Sequence, residues 1–313
     1  MIACIGEALI DFIPATTHDG VQAYIPSPGG SPYNTAITCG RLEHPTYFLS
    51  RLSGDFFGRD LRTSLERNRV NISYVASGEE PTTLAFVRKN SAGDAEYAFF
   101  ANDSADRLIT IDDLPGTLPE GLHCIECGSI SMQMEPGASA LEHYISKHAQ
   151  DVVVAYDPNV RPSLLDDEQA HRKRVLRVMG MSGIVKVSDV DLEWLFPDKG
   201  LEAAAAAILD LGTPLVVVTA GAEGATGYTE HTSLHVPAGT PEGGIKDTVG
   251  AGDSFHGALL TWLDRNGLMS RERLAALDSE TLKKALSFAA GVAAITCSRS
   301  GAEPPYASEI VFS

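Results

Sequence analysis

From Gly121 onward short apolar runs alternate with helical stretches, and no other feature limits the fold as much. Strands are predicted over His123–Ser129, Val152–Tyr156, Gly183–Val187 and Leu215–Thr219. Helices are predicted over Gly137–His148, Asp166–Met179, Asp191–Leu195 and Leu201–Leu211. Runs that stay apolar at consecutive positions, as in Leu215–Thr219, mark strands buried on both faces. The pattern therefore predicts a mostly parallel sheet covered by helices on each side. Ligands of such sheets sit beyond the carboxyl ends of the strands. Asp157-Pro158-Asn159, Lys186-Val187-Ser188 and Thr219-Ala220-Gly221 fall at those ends.

The first hundred residues are less regular. Ile2–Ile5 reads as a buried strand, Val21–Ile25 as a small one, Thr46–Arg51 and Ile72–Val75 as two more. Helices are expected over Asn34–Leu42 and from Gly54-Asp55 to about Asn68. Thr82–Phe100 alternates with period two around Asn90-Ser91-Ala92-Gly93-Asp94, the pattern of a hairpin. An antiparallel hairpin inside a βα chain implies a small sheet set apart from the main one, in the manner of a lid. Asp11 stands alone in an apolar run and is either a strand-end carboxylate or a ligand group. With Gly29-Gly30 and Asn34 it would form a hydroxyl-binding corner, because carboxylate, amide and bare backbone N–H are what polyol recognition requires.

Composition excludes several function classes. With 24 Lys+Arg against 41 Asp+Glu the net charge is −17, which argues against a nucleic-acid footprint. Met1–Gly6 lacks a basic leader, and no run approaches the ~20 apolar residues of a membrane span, so a cytoplasmic protein is expected. The five cysteines are odd in number and sit in apolar surroundings, as reduced thiols do. Cys124 and Cys127 make a lone CxxC inside a strand-like run, better read as buried thiols than as a metal or redox site. His18, His44, His143 and His148 show no ligand spacing.

Asp247-Thr248-Val249-Gly250-Ala251-Gly252-Asp253 joins a Gly- and Pro-containing loop to an apolar helix, Ser254–Leu263. Small residues where a helix begins leave its first N–H groups open to a phosphate or a developing negative charge. Asp253 then reads as a base facing the nucleophile, or as a plain helix N-terminal carboxylate. The chain has no GxxxxGK[ST], no GxGxxG, no GxSxG and no HExxH, which disfavours P-loop, dinucleotide, serine-hydrolase and zinc chemistry.

This heptad resembles the C-terminal signature of the ribokinase-like, or PfkB, sugar kinases, and Gly29-Gly30 with Asn34-Thr35-Ala36 resembles their N-terminal signature. Gly6-Glu7, Gly54-Asp55 to Gly58, Asp157-Pro158-Asn159-Val160-Arg161 and Gly301-Ala302 have counterparts in the same order, so the likeness spans the chain. It implies a ribokinase-like three-layer α/β/α fold with a mostly parallel central sheet and a small β-sheet lid. The domain would be single, 1–313, with lid segments at about 11–28 and 82–104.

The implied reaction transfers the γ-phosphoryl of ATP to a sugar primary hydroxyl, fructose to fructose 6-phosphate in the first place. The alternatives are a 2-keto-3-deoxygluconate kinase, another PfkB sugar or nucleoside kinase, or a non-catalytic sugar or nucleotide sensor. Asp253 would accept the proton, with the amides of Gly250, Ala251 and Gly252 as anion hole. Asp11, Gly30, Asn34 and Arg161 would bind sugar, although a structural salt bridge remains an alternative for Arg161. Tyr97 and Phe99 would face the sugar or pack within the lid. Lys186, Ser188, Thr219, Gly221 and Gly224 would serve the nucleotide. The family's Asn-x-x-Glu is replaced by Ser188-Asp189-Val190-Asp191, which leaves Asp191 to reach Mg²⁺ through water. Asp247, Val249, Thr296, Arg299 and Gly301 would hold a K⁺ ion, mainly by carbonyls. Fructokinase-like relatives carry an arginine just after the hairpin; Phe100-Ala101-Asn102-Asp103 has none. The partners implied are a sugar and ATP, with neither nucleic acid nor membrane, and a homodimer paired through the lid.

Overall fold

The computed structural model describes residues 1–89 and 95–310. In chain order the first strands are β1 (Ile2–Ile5), β2 (Leu9–Thr16), β3 (Gln22–Gly29), β4 (Thr46–Ser53), β5 (Val70–Asn71), β6 (Val75–Gly78), β7 (Thr83–Lys89) and β8 (Ala95–Phe100). They are followed by β9 (Cys124–Gly128), β10 (Val153–Asp157), β11 (Ile184–Ser188), β12 (Leu215–Thr219), β13 (Ala225–Tyr228) and β14 (Ser233–Val236). The helices are α1 (Ser31–Arg41), α2 (Phe56–Arg67), α3 (Gly137–His148), α4 (Glu168–Met181), α5 (Asp189–Leu195), α6 (Leu201–Leu209), α7 (Ala251–Arg265), α8 (Arg271–Ala275) and α9 (Ser279–Cys297).

Ten strands form the main sheet in the order β14-β13-β12-β11-β10-β9-β1-β4-β5, with β6 added to β4. Pairing is parallel from β12 through β5, and the two outermost strands, β13 and β14, are antiparallel. Because side chains alternate across a strand, each central strand feeds two cores. In β1, Ile2 and Cys4 pack with Ala36 of α1, Leu259 of α7 and Ala289 of α9. Ala3 and Ile5 pack on the opposite side with Leu141 of α3, Val175 of α4 and Ile208 of α6. The result is the ribokinase-like three-layer α/β/α architecture.

A separate four-stranded sheet, β3-β2-β7-β8, grows from the carboxyl end of β1. Phe12 stacks on Phe86 at 4.5 Å, and Phe86 meets Tyr24 and Phe100 edge-on. The expected strand at Val21–Ile25 is longer, because the edge position of β3 tolerates Pro26 and Pro28. The segment around Asp11, left open between turn and strand, is strand β2. The expected strand Ile72–Val75 is instead two short ones, since the Asn71 side chain accepts the Ser73 N–H at 2.9 Å and turns the chain there. The turn expected at residues 90–94 and the Tyr97 side chain lie outside the described residues.

Several helix starts follow capping rules. Asp55, Asp167, Ser188 and Asp278 each accept an N–H of the first turn. Among the described residues no helix is long and apolar enough to cross a membrane.

Candidate active site

Beyond the carboxyl ends of β1, β10, β11 and β12 lies a cleft of about 770 Å³, roofed by the small sheet. Asp11, Gly30, Asn34, Arg161, Lys186, Ser188, Asp191, Thr219, Asp247, Val249, Gly250, Gly252 and Asp253 all contribute to its wall. Most of the sequence-predicted sugar, anion and nucleotide residues therefore converge from segments far apart in the chain.

The focus is Asp253, in the first turn of α7. Its Oδ1 accepts the Ser31 hydroxyl at 2.7 Å and its Oδ2 accepts the Asn34 side-chain amide at 2.8 Å. Both donors stand on the first turn of α1, which packs directly on α7 because Gly257 has no side chain. A β-carbon there would lie 2.9 Å from the Thr35 carbonyl. Burial raises the Asp253 pKa, and the bonds from Ser31 and Asn34 pull it partly back.

Glu7 anchors the turn that carries these donors. Its carboxylate is buried and accepts the backbone N–H of Ser31 at 3.1 Å and of Ser131 at 3.2 Å. Gly30 adopts φ +110, and a β-carbon there would sit 2.8 Å from the Glu7 carbonyl. Gly30 is thus required by the close approach of two backbones.

Asp11 projects from β2 toward the same end of the cleft. Burial pushes its pKa up to about 7, the charge of Asp253 adds to this, and Arg161 draws it back. Arg161 itself donates to Asn159 Oδ1 at 2.6 Å, which fixes the guanidinium at the rim. Phe99 also lines the cleft and packs on a small apolar cluster that includes Leu9 and Ile130.

At the α7 end, Gly250 takes the left-handed conformation, φ +73. The first α-helical bond is Ser254 N–H to Gly250 O at 2.8 Å, so Gly252 and Asp253 keep amides without a helical acceptor. Ala251 differs from expectation: its N–H donates to Thr248 O at 3.2 Å, and it does not line the cleft. Lys186 stands opposite, its Nζ 2.8 Å from Asp157 Oδ2.

Asp191 lines the cleft with both oxygens engaged, Oδ1 by the Val160 N–H at 3.0 Å and Oδ2 by the Ser188 hydroxyl at 2.7 Å. Its pKa is raised, by burial first and then by Asp157. Thr219 reaches the wall but Gly221 and Gly224 do not. Gly224 instead closes the β12–β13 turn, where a β-carbon would stand 2.2 Å from the Val236 carbonyl.

Of the residues expected around a monovalent cation, Asp247 and Val249 line the cleft, whereas Thr296, Arg299 and Gly301 do not. The two loops do meet: the Gly301 N–H donates to Asp247 Oδ2 at 2.9 Å. Thr296 donates to Ser254 Oγ at 3.0 Å, and Arg299 pairs with Glu309 at 2.5 Å. Sequence reasoning missed Ser31 and Glu7. A serine directly after a glycine pair at a helix start was the available signal for Ser31.

Comparison with known proteins points the same way. A model of pfkB family carbohydrate kinases matches residues 1–309. A fructokinase of Rhizobium leguminosarum bv. trifolii is 38% identical over 283 residues, covering 90% of this chain and 86% of the relative. The structure of a fructokinase with bound ATP from Xylella fastidiosa superposes with a TM-score of 0.86 at 27% identity, covering 96% of this chain and 93% of the other. A Vibrio cholerae O395 fructokinase in fructose, ADP and calcium ion bound form gives 0.82 at 28% identity, covering 96% and 94%. Site geometry, sequence and fold agree, and the chain belongs to the pfkB family of carbohydrate kinases.

Proposed function

We propose that this enzyme transfers the γ-phosphoryl group of ATP to the primary 6-hydroxyl of fructose. The observation that carries the reading is the placement of Asp253. One carboxylate, held at both oxygens by Ser31 and Asn34, faces a cleft beside two first-turn amides of α7 that lack helical acceptors. The names of the relative at 38% identity and of the superposing fructokinase structures support fructose as the acceptor.

In this reading Asp11, the Gly30 backbone and Asn34 hold the sugar hydroxyls, and Arg161 closes the rim. An alcohol is too weak an acid to ionise beforehand, so its proton passes to Asp253 as the oxygen attacks. Burial strengthens Asp253 as a base. The amides of Gly252 and Asp253, with Gly250 shaping the turn, receive the negative charge that develops on the phosphoryl oxygens. Lys186 contributes a fixed positive charge in a chain whose net charge is −17. Thr219 and Ser188 border the nucleotide end.

Among the described residues no His, Cys, Asp and Glu cluster forms an all-protein metal cage. Asp191, buried at the cleft wall with its oxygens held by Val160 and Ser188, fits only the looser alternative, a hydrated Mg²⁺ reached through water. When bound with ATP, Mg²⁺ would neutralise phosphate charge. A K⁺ ion at the junction of the Asp247 and Gly301 loops is part of the same reading. Tyr24, Ile25 and Phe100 are exposed on the small sheet and suit pairing of two lids in a homodimer, which light scattering tests. A cytoplasmic setting supplies the ATP.

The decisive assay measures ATP consumption with fructose, other hexoses, ribose, nucleosides and 2-keto-3-deoxygluconate, for the wild type and Asp253→Asn. Fructose should give the highest kcat/KM. Preference for the sugar acid would overturn the substrate, and an unimpaired Asn variant would overturn the base.

A further inference from the structure

Glu126 stands in the middle of β9, a strand buried at every position. It is in register with Cys4 of β1 and Ala155 of β10, both of which pack toward α1 and α7. Opposite it is His256 on α7, about one helical turn beyond Asp253. The two side chains are closed to solvent, at 1% and 0% exposure, and Glu126 Oε1 lies 3.7 Å from His256 Nδ1. Among the described residues neither carboxyl oxygen and neither ring nitrogen has a hydrogen-bond partner. The gap exceeds hydrogen-bond length by about 0.5 Å, so a small rotation of one side chain pairs them. We propose that a protonated Glu126 donates to a neutral His256, and that this pair positions Asp253 by seating the first turns of α7 on β9.

The charge state follows from the neighbours. Asp157 at the end of β10 and Asp253 on α7 bear on Glu126, as do Cys4 of β1, Cys39 of α1, and Cys124 and Cys127 of β9. A carboxylate here would add a like charge to those of Asp157 and Asp253. The cation that bears on His256 is Lys186 of β11, so an imidazolium would also meet its own sign. Neither charge of a Glu126–His256 ion pair is therefore supported, and neither is hydrated. Burial first and then Asp157 hold the Glu126 carboxyl far above the usual carboxylate range. Burial and then Lys186 lower the His256 pKa to about 3. With the proton on Glu126, Nδ1 accepts it and the ring keeps its own on Nε2.

The pair serves the transfer in two ways. It joins the middle of the main sheet to the helix that carries Asp253 and the open amides, so that α7 is located from the sheet as well as from α1. It also withholds a further negative charge from Asp253. Both roles rest on the reading of Asp253 as the base.

The test compares wild type with Glu126→Gln, Glu126→Leu and His256→Leu by infrared spectroscopy, nitrogen NMR of the histidine rings, and kinetics well below each thermal midpoint. At neutral pH wild type should show a protonated-carboxyl stretch that Glu126→Gln lacks. It should also show a histidine in the Nε2–H form whose signals vanish in His256→Leu. Glu126→Gln, the conservative variant whose amide still donates, should keep kcat and leave the acid limb of kcat/KM in place. Glu126→Leu leaves the ring unpartnered, and should lower kcat about tenfold with little change in either KM. A lowered thermal midpoint with an intact kcat in Glu126→Leu would reduce the pair to a structural one and overturn the positioning role. An acid limb that moves to lower pH in Glu126→Gln would mean that a negative charge had been removed beside Asp253, and would overturn the neutral pair. The spectroscopic arms need neither sugar nor turnover, so they stand apart from the fructose assignment and from Asp253 as the base.

Discussion

Lys186 and Asp157 form a 2.8 Å ion pair whose side chains are only 6% and 1% exposed. Burial by itself would lower the lysine pKa, but the charge and hydrogen bond of Asp157 reverse this and raise it. Asp157 Oδ1 has no partner, so Lys186 is what compensates this carboxylate. Lys186→Met should therefore destabilise the fold by about 3–5 kcal/mol in urea unfolding. The double variant Lys186→Met/Asp157→Asn should recover much of that stability without recovering phosphoryl transfer. Recovery of both would show that the lysine serves only the fold.

Asp253→Asn should lower kcat by about 10²–10⁴-fold while leaving the thermal midpoint unchanged or higher, since a buried charge is removed. Ser31→Ala should act more mildly and in a diagnostic direction. The Ser31 bond lowers the Asp253 pKa, so its loss raises that pKa. The acid limb of the kcat/KM profile should then move to higher pH. A limb that stays put would separate Ser31 from the base.

Two neighbouring glycines should respond differently to alanine. At Gly250, φ is +73 and a β-carbon would stand 2.4 Å from that of Ala302. Gly250→Ala should lose both stability, by about 1–2 kcal/mol or more, and activity. At Gly252 a β-carbon meets only Lys186 Nζ, at 3.0 Å, the mobile end of a side chain. Gly252→Ala should keep or gain stability, by up to about 1 kcal/mol, yet lose kcat because its methyl intrudes on the cleft. Calorimetry paired with steady-state kinetics distinguishes the two.

Asp11 sets a pH signature on stability. Its folded pKa, about 7, lies above the ordinary 3.8, so the folded state holds the proton more tightly. The associated stability is full below 3.8 and is lost as pH rises through about 7. Asp11→Asn should consequently raise the thermal midpoint at pH 8 more than at pH 5, while raising the sugar KM. Equal shifts at both pH values would contradict the buried-carboxylate account.

The central layers and the anion end were legible because each rests on a local pattern. Buried runs such as Leu215–Thr219 and the heptad ending at Asp253 need no long-range information. The β13–β14 edge pair and α8 escaped notice, since short strands around Gly227 and a five-residue helix carry little periodic signal. Asp11 and Asn34, which line the cleft, were picked out by their motifs. Ser31 and Glu7 were not, because their roles depend on packing between α1, α7 and the turn after β9. Ala251 shows the converse limit: residue type marked a helix start, but only the turn to Thr248 decides which amides stay open.

Asp253 is separated from its two donors by 222 and 219 residues, so the site exists only when both ends of the chain are in hand. During synthesis the Ser31 and Asn34 corner emerges early and waits for α7. A nascent chain stalled before residue 247 has neither base nor anion-binding amides, and so no means of turning over ATP. Catalytic competence is thereby reserved for a chain that extends through α7, and its appearance after refolding should report the docking of α7 against α1.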